Sequence, residues 1–75
     1  FPQKDVSAFG LTKREVDVLV LIANGKTNQQ IADDLVISLE TVKNHTRNIY
    51  RKLGVNNRTR ASLVARELNL VFSSG

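Results

Sequence analysis

Apolar residues along this chain recur at spacings of three and four, in four stripes separated by short polar breaks. Val16, Leu19, Val20 and Ala23 make the first stripe. Ahead of it, Thr12-Lys13-Arg14-Glu15 has the form of a capping box, in which the Thr12 hydroxyl accepts a backbone N–H and Glu15 reaches back; Gly25 follows as a left-handed stop. Ile31, Ala32 and Leu35 form a shorter stripe behind a second box, Thr27-Asn28-Gln29-Gln30. Val36 and Ile37 then interrupt the period. Ser38 is placed to cap a third helix, Glu40 suits the positive end of its dipole, and Gly54 ends it with Val55 set for the accompanying apolar contact. Asn57 caps a fourth stripe, Ala61, Val64, Ala65 and Leu68, which Asn69 can stop because Asn tolerates left-handed backbone. The pattern predicts an all-α fold of four helices over residues 12–24, 28–35, 39–53 and 58–68, with short loops and no strand.

Seventy-five residues make one domain with a modest core. Residues 1–10 hold the only proline and no sustained period and read as an arm or linker end; residues 11–71 form the domain and 72–75 a polar tail. A chain that begins without Met is expected to be a piece of a longer protein.

The third helix is the most informative. At 100° per residue, Val42, His45, Ile49 and Leu53 fall within an arc of about 80° and are the expected buried side. Glu40, Lys43, Asn44, Arg47, Asn48 and Arg51 lie nearly opposite. Arg and Lys can donate to guanine O6 and N7, and Asn can pair with adenine, so this face suits a major groove. Only a few residues link it to the preceding short helix, which forces the two to cross steeply. Ala32 permits a close approach, and Ile31, Leu35, Ile37 and Val42 would share the core between them. That is a helix-turn-helix, whose second helix uses its first turns on base edges. Lys43, Asn44 and Arg47 occupy those turns, and Arg51 and Lys52 lie further along, towards phosphates.

Charge adds to this. Residues 1–39 carry four basic against five acidic side chains, whereas residues 40–75 carry seven against two. The basic half suggests a polyanion-facing surface, and a solubilising face explains the charge alone equally well. There is no cysteine, hence no disulfide framework and no thiolate metal site. The longest apolar run, Val18–Ala23, is too short to span a bilayer, so a cytoplasmic location without membrane contact is expected. With one histidine and no phosphate-binding glycine loop, neither an enzyme, a metal site nor a cofactor is expected.

Residues 11–71 resemble the DNA-binding domain of the LuxR/GerE-type transcription regulators, the family that includes the output domains of NarL-type response regulators. The pieces that carry the likeness are "LTKRE", "VLVLIANGKTNQQIA", "ISLETVKNH" and "KLGVNNRTRA", in family order and spacing. The resemblance implies a four-helix fold that reads double-stranded DNA with its third helix and commonly dimerises on DNA through its fourth, with RNA polymerase as a further partner. By position, Lys43, Asn44 and Arg47 match base-facing residues. Thr41 and His45 match the "TVKxH" pattern, near the phosphate backbone or packed at the helix boundary. Thr27 and Asn28 can offer backbone N–H groups to a phosphate, and Ser38, Arg51, Lys52 and Arg58 complete the expected backbone contacts.

Three readings stay open on the sequence. The basic helix could dock on an acidic protein partner instead of DNA. Glu15 could pair with Arg58 across the first and fourth helices, or act in its cap alone. Leu63 and Leu70, seven apart, could line a dimer interface with Val64, or pack against the arm.

Overall fold

A computed structural model describes residues 9–68 of the chain. They form α1 (Lys13–Ala23), α2 (Asn28–Leu35), α3 (Leu39–Leu53) and α4 (Arg58–Glu67), with no strand among the described residues. Each boundary agrees with the sequence pattern to within a residue or so. The fourth-helix stop expected at Asn69 lies outside the described residues.

The start signals act as local chemistry predicts. Thr12 Oγ1 accepts the Glu15 N–H at 3.1 Å while Glu15 Oε1 accepts the Thr12 N–H at 3.0 Å. Thr27 and Gln30 repeat the exchange at 3.1 and 2.9 Å. Ser38 Oγ accepts from the Thr41 N–H at 3.1 Å, and Asn57 Oδ1 from the Arg60 N–H at 2.8 Å. Each cap satisfies one of the N–H groups that a helix start leaves without a partner, a contribution of about 1 kcal/mol.

The first three helices end alike. A left-handed residue follows the last turn, and the next N–H reaches back five residues: Lys26 to Leu21 O, Ile37 to Ala32 O and Val55 to Tyr50 O, each at 3.0 Å. Gly25 and Gly54 take the left-handed position after α1 and α3. After α2 that position belongs to Val36, at φ 57° and ψ 50°.

α1 is central, packing on α4, α3 and α2. Its buried positions, Glu15, Val18, Leu19, Val20, Ile22 and Ala23, sweep an arc of about 200° at helical spacing. The narrower stripe expected from the sequence was too small: Val18 and Ile22 are core, and Val16 is only half-buried. A helix with neighbours on several sides buries more than one face. Leu19, Ile22, Ile31 and Ile49 anchor the core, with each side chain contributing about 1.5–3 kcal/mol by its removal from water.

The buried side of α3 differs in part from expectation. Thr46 is buried beside Val42 and Ile49, whereas His45 is only half-buried at the boundary. The threonine hydroxyl donates to the Val42 carbonyl at 2.8 Å, so the group enters the core with its hydrogen bond already made. Leu53 is half-buried and packs on the core edge with Val55.

Candidate nucleic-acid interface

α2 packs on α3 across a turn of three residues, Val36, Ile37 and Ser38. Ile31, Ala32 and Val42 are buried between them, with Leu35 and Ile37 packed alongside. This is the helix-turn-helix arrangement that the spacing predicted, and it holds the outer side of α3 away from the core.

That outer side carries Lys43, Asn44, Arg47 and Arg51, all exposed, with Asn48 half-buried between them. Two hydrogen bonds of the same form organise it. Arg47 Nη1 donates to Asn44 Oδ1 at 3.2 Å, and Arg51 Nη2 donates to Asn48 Oδ1 at 3.3 Å. The repeat follows from the sequence, where Asn precedes Arg by three residues twice, four residues apart. The sequence placed Asn48 on this face without a role, and the structure gives its oxygen to Arg51. Lys43, Arg47 and Arg51 have no ion-pair partner among the described residues, so this face presents three cations beside the single exposed carboxylate of Glu40.

The other expected contact residues are distributed less uniformly. Ser38 and Thr41 sit at the start of α3, where their hydroxyls share a hydrogen bond of 2.8 Å. At the start of α2 the Thr27 N–H is already used by Gln30, while Asn28 Oδ1 accepts from Arg58 Nη1 at 3.0 Å. Arg58 Nη2 also donates to the Lys26 carbonyl, so this half-buried guanidinium ties the start of α4 to the loop before α2.

Lys52 is held inward. Its ammonium lies 2.7 Å from Glu15 Oε1 and 3.0 Å from the Gly10 carbonyl oxygen. The suggested pair between Glu15 and Arg58 is therefore replaced: Glu15 takes Lys52 from α3, and Arg58 takes the α2 loop. Burial alone would raise the Glu15 carboxyl. The Lys52 hydrogen bond, the Thr12 N–H and the charges of Lys52 and His45 outweigh it and hold the carboxyl below its ordinary value. The fold thus brings Glu15 close enough to His45 to sense its charge, a relation that sequence distance conceals. Among the described residues no group of His, Asp or Glu side chains could hold a metal ion.

On α4, Leu63 is about half exposed and Val64 half-buried. Together with Val55, Arg60 and Glu67 they line a shallow depression of about 200 Å³. Leu70, expected to extend this strip, lies outside the described residues. Among the described residues no helix is long and apolar enough to cross a membrane.

Comparison with known proteins bears on the same elements. The family described as bacterial regulatory proteins, luxR family, matches residues 10–69. The transcriptional regulatory protein LiaR of Bacillus subtilis is 51% identical over 61 residues, covering 81% of this chain and 29% of LiaR. The response regulator protein VraR of Staphylococcus aureus is 48% identical over 61 residues, again 81% of this chain and 29% of VraR. The crystal structure of ChrA, a response regulator in a heme-sensing two-component system, superposes with a TM-score of 0.75 at 41% identity, covering 95% of this chain and 33% of ChrA. The chain therefore spans about a third of the length of these relatives.

Proposed function

The chain belongs to the luxR family of bacterial regulatory proteins, and from that premise we propose that it binds double-stranded DNA sequence-specifically, as the output domain of a cytoplasmic transcription regulator. In this reading α3 enters the major groove. Lys43 and Arg47 meet base edges with Asn44 beside them, because all three occupy the first turns of the second helix of the pair. Arg51, Ser38, Thr41 and the N-terminal N–H groups of α2 face phosphates on either side. Arg58, Lys52 and His45 act mainly from behind, since the Arg58 and Lys52 side chains are already bonded within the domain and His45 is half-buried. A second copy, docked through the strip at Leu63 and Val64, would set the spacing of two half-sites. RNA polymerase is the expected downstream partner of such a complex.

The observation that carries this reading is the outward row of Lys43, Arg47 and Arg51 on the second helix of a helix-turn-helix. Docking on an acidic protein would use the same charges, but it would not require paired Asn and Arg at groove-reading positions. The test is to titrate the chain into a random duplex library at several salt concentrations and sequence the bound fraction. The expected result is an enriched motif, with affinity falling on a log–log slope of about −0.9 per phosphate contacted. Binding without enrichment would reduce the function to electrostatic attraction, and no binding at low salt would favour the acidic-protein reading.

A further inference from the structure

The bond between Arg47 and Asn44 separates the roles of two residues that sequence position treats alike. For Asn44 to read adenine, Oδ1 must accept from the N6 amino group while Nδ2 donates to N7. That oxygen already accepts from Arg47 Nη1 at 3.2 Å. An adenine amino group would have to share that oxygen with the guanidinium, taking its second lone pair beside a positive charge. Nothing in the chemistry of the pair penalises guanine. Arginine carries five N–H donors in a rigid fork, and with Nη1 committed to Asn44 the Nε–Nη2 edge keeps two parallel donors. No described residue accepts from that edge. Guanine presents O6 and N7, two acceptors side by side, to such an edge.

We infer that Arg47 is the guanine-reading residue of this domain and that Asn44 is its positioning residue, holding the guanidinium through Oδ1 rather than reading adenine. The assignment rests on the DNA-binding reading above and adds to it the identity of a base. The neighbouring pair differs in the nitrogen it uses: Arg51 gives Nη2 to Asn48, so its Nε–Nη2 edge is already engaged and it is the poorer candidate for a guanine. Lys43 has no such partner among the described residues, and its flexible ammonium discriminates less between bases than a held fork does.

The test is the duplex selection repeated with R47A, N44A and N44D. All three changes are at exposed positions on the outer face of α3, so folding is retained. The wild-type chain is expected to enrich a guanine whose preference R47A lowers by about 5- to 150-fold, the worth of a bidentate contact. N44A should weaken preference at that same base pair by about two- to tenfold, the cost of leaving a long side chain unordered before it binds. N44D keeps an acceptor for Nη1, so it should preserve the guanine ratio while lowering affinity for every sequence alike. Loss in N44A of an adenine at a different position, with the guanine untouched, would overturn the assignment and make Asn44 a reader. Loss of the guanine ratio in N44D as well would overturn the role of the oxygen. If the wild-type chain binds no duplex at all, the DNA reading itself fails and this assignment falls with it.

Discussion

Lys52 Nζ lies 2.7 Å from Glu15 Oε1 and joins the last turn of α3 to the first turn of α1 across 37 residues of sequence. The same carboxyl closes the α1 capping box, so one buried side chain both starts a helix and ties it to the basic one. The contact places a structural clamp directly behind the candidate DNA-reading face.

The clamp should respond to acid. Because the Glu15 carboxyl is held below its ordinary value, its stabilising effect is complete above the unfolded carboxyl value of about 4.3 and is lost as pH falls below that towards the folded one. E15Q keeps an oxygen for the Thr12 N–H but removes the charge that meets Lys52. It should cost about 1–2 kcal/mol at pH 7, with allowance for the partial exposure of Lys52. Urea unfolding of both proteins between pH 7 and pH 3 checks this, since the gap between them should close at the acid end. A gap that stays constant would show that the charge contributes nothing.

Arg58 offers a separation of stability from binding. Its guanidinium is spent on Asn28 Oδ1 and the Lys26 carbonyl. R58A is expected to lose about 1–2 kcal/mol of stability, while the slope of DNA affinity against salt stays near that of the wild type. A slope shallower by about one unit would instead make Arg58 a phosphate contact.

Arg51 should behave in the opposite way. R51A removes an exposed side chain bonded only to its own helix among the described residues, so thermal stability should change by less than about 0.5 kcal/mol. The salt slope should fall by about one unit with base preference unchanged. Altered base preference in the selected duplexes would place Arg51 on a base edge.

Val36 is a β-branched residue in left-handed backbone, and its side chain is 88% exposed. Left-handed backbone costs about 1–2 kcal/mol at a residue with a Cβ, and glycine gives back roughly 0.5–1 kcal/mol of that through the entropy of its unfolded chain. V36G is therefore expected to stabilise the domain by up to about 1 kcal/mol, a rise of several degrees in Tm for a domain of this size. V36A, which keeps the Cβ, should gain little. A V36G variant that melts lower than the wild type would show that the exposed valine makes a stabilising contact.

The sequence by itself determined the four helices and the outward basic face, because the signals that set them operate within a few residues. A threonine reaches the N–H three positions on, a glycine ends the turn beside it, and helical spacing decides which side of α3 carries Lys43, Asn44, Arg47 and Arg51. The Asn–Arg pairs stand at a repeated interval of three in the sequence, but their bonds emerged only with the structure. The tertiary structure decided what distant chain segments do to one another. It chose Lys52 over Arg58 for Glu15, widened the buried arc of α1 by surrounding it, and turned α3 so that Thr46 rather than His45 entered the core. Each of those outcomes depends on packing between residues in different helices, where the competition is settled by which polar group can enter with its hydrogen bonds made. Local periodicity carries no information about that competition, and a buried threonine bonded to its own helix looks polar until the fold is known.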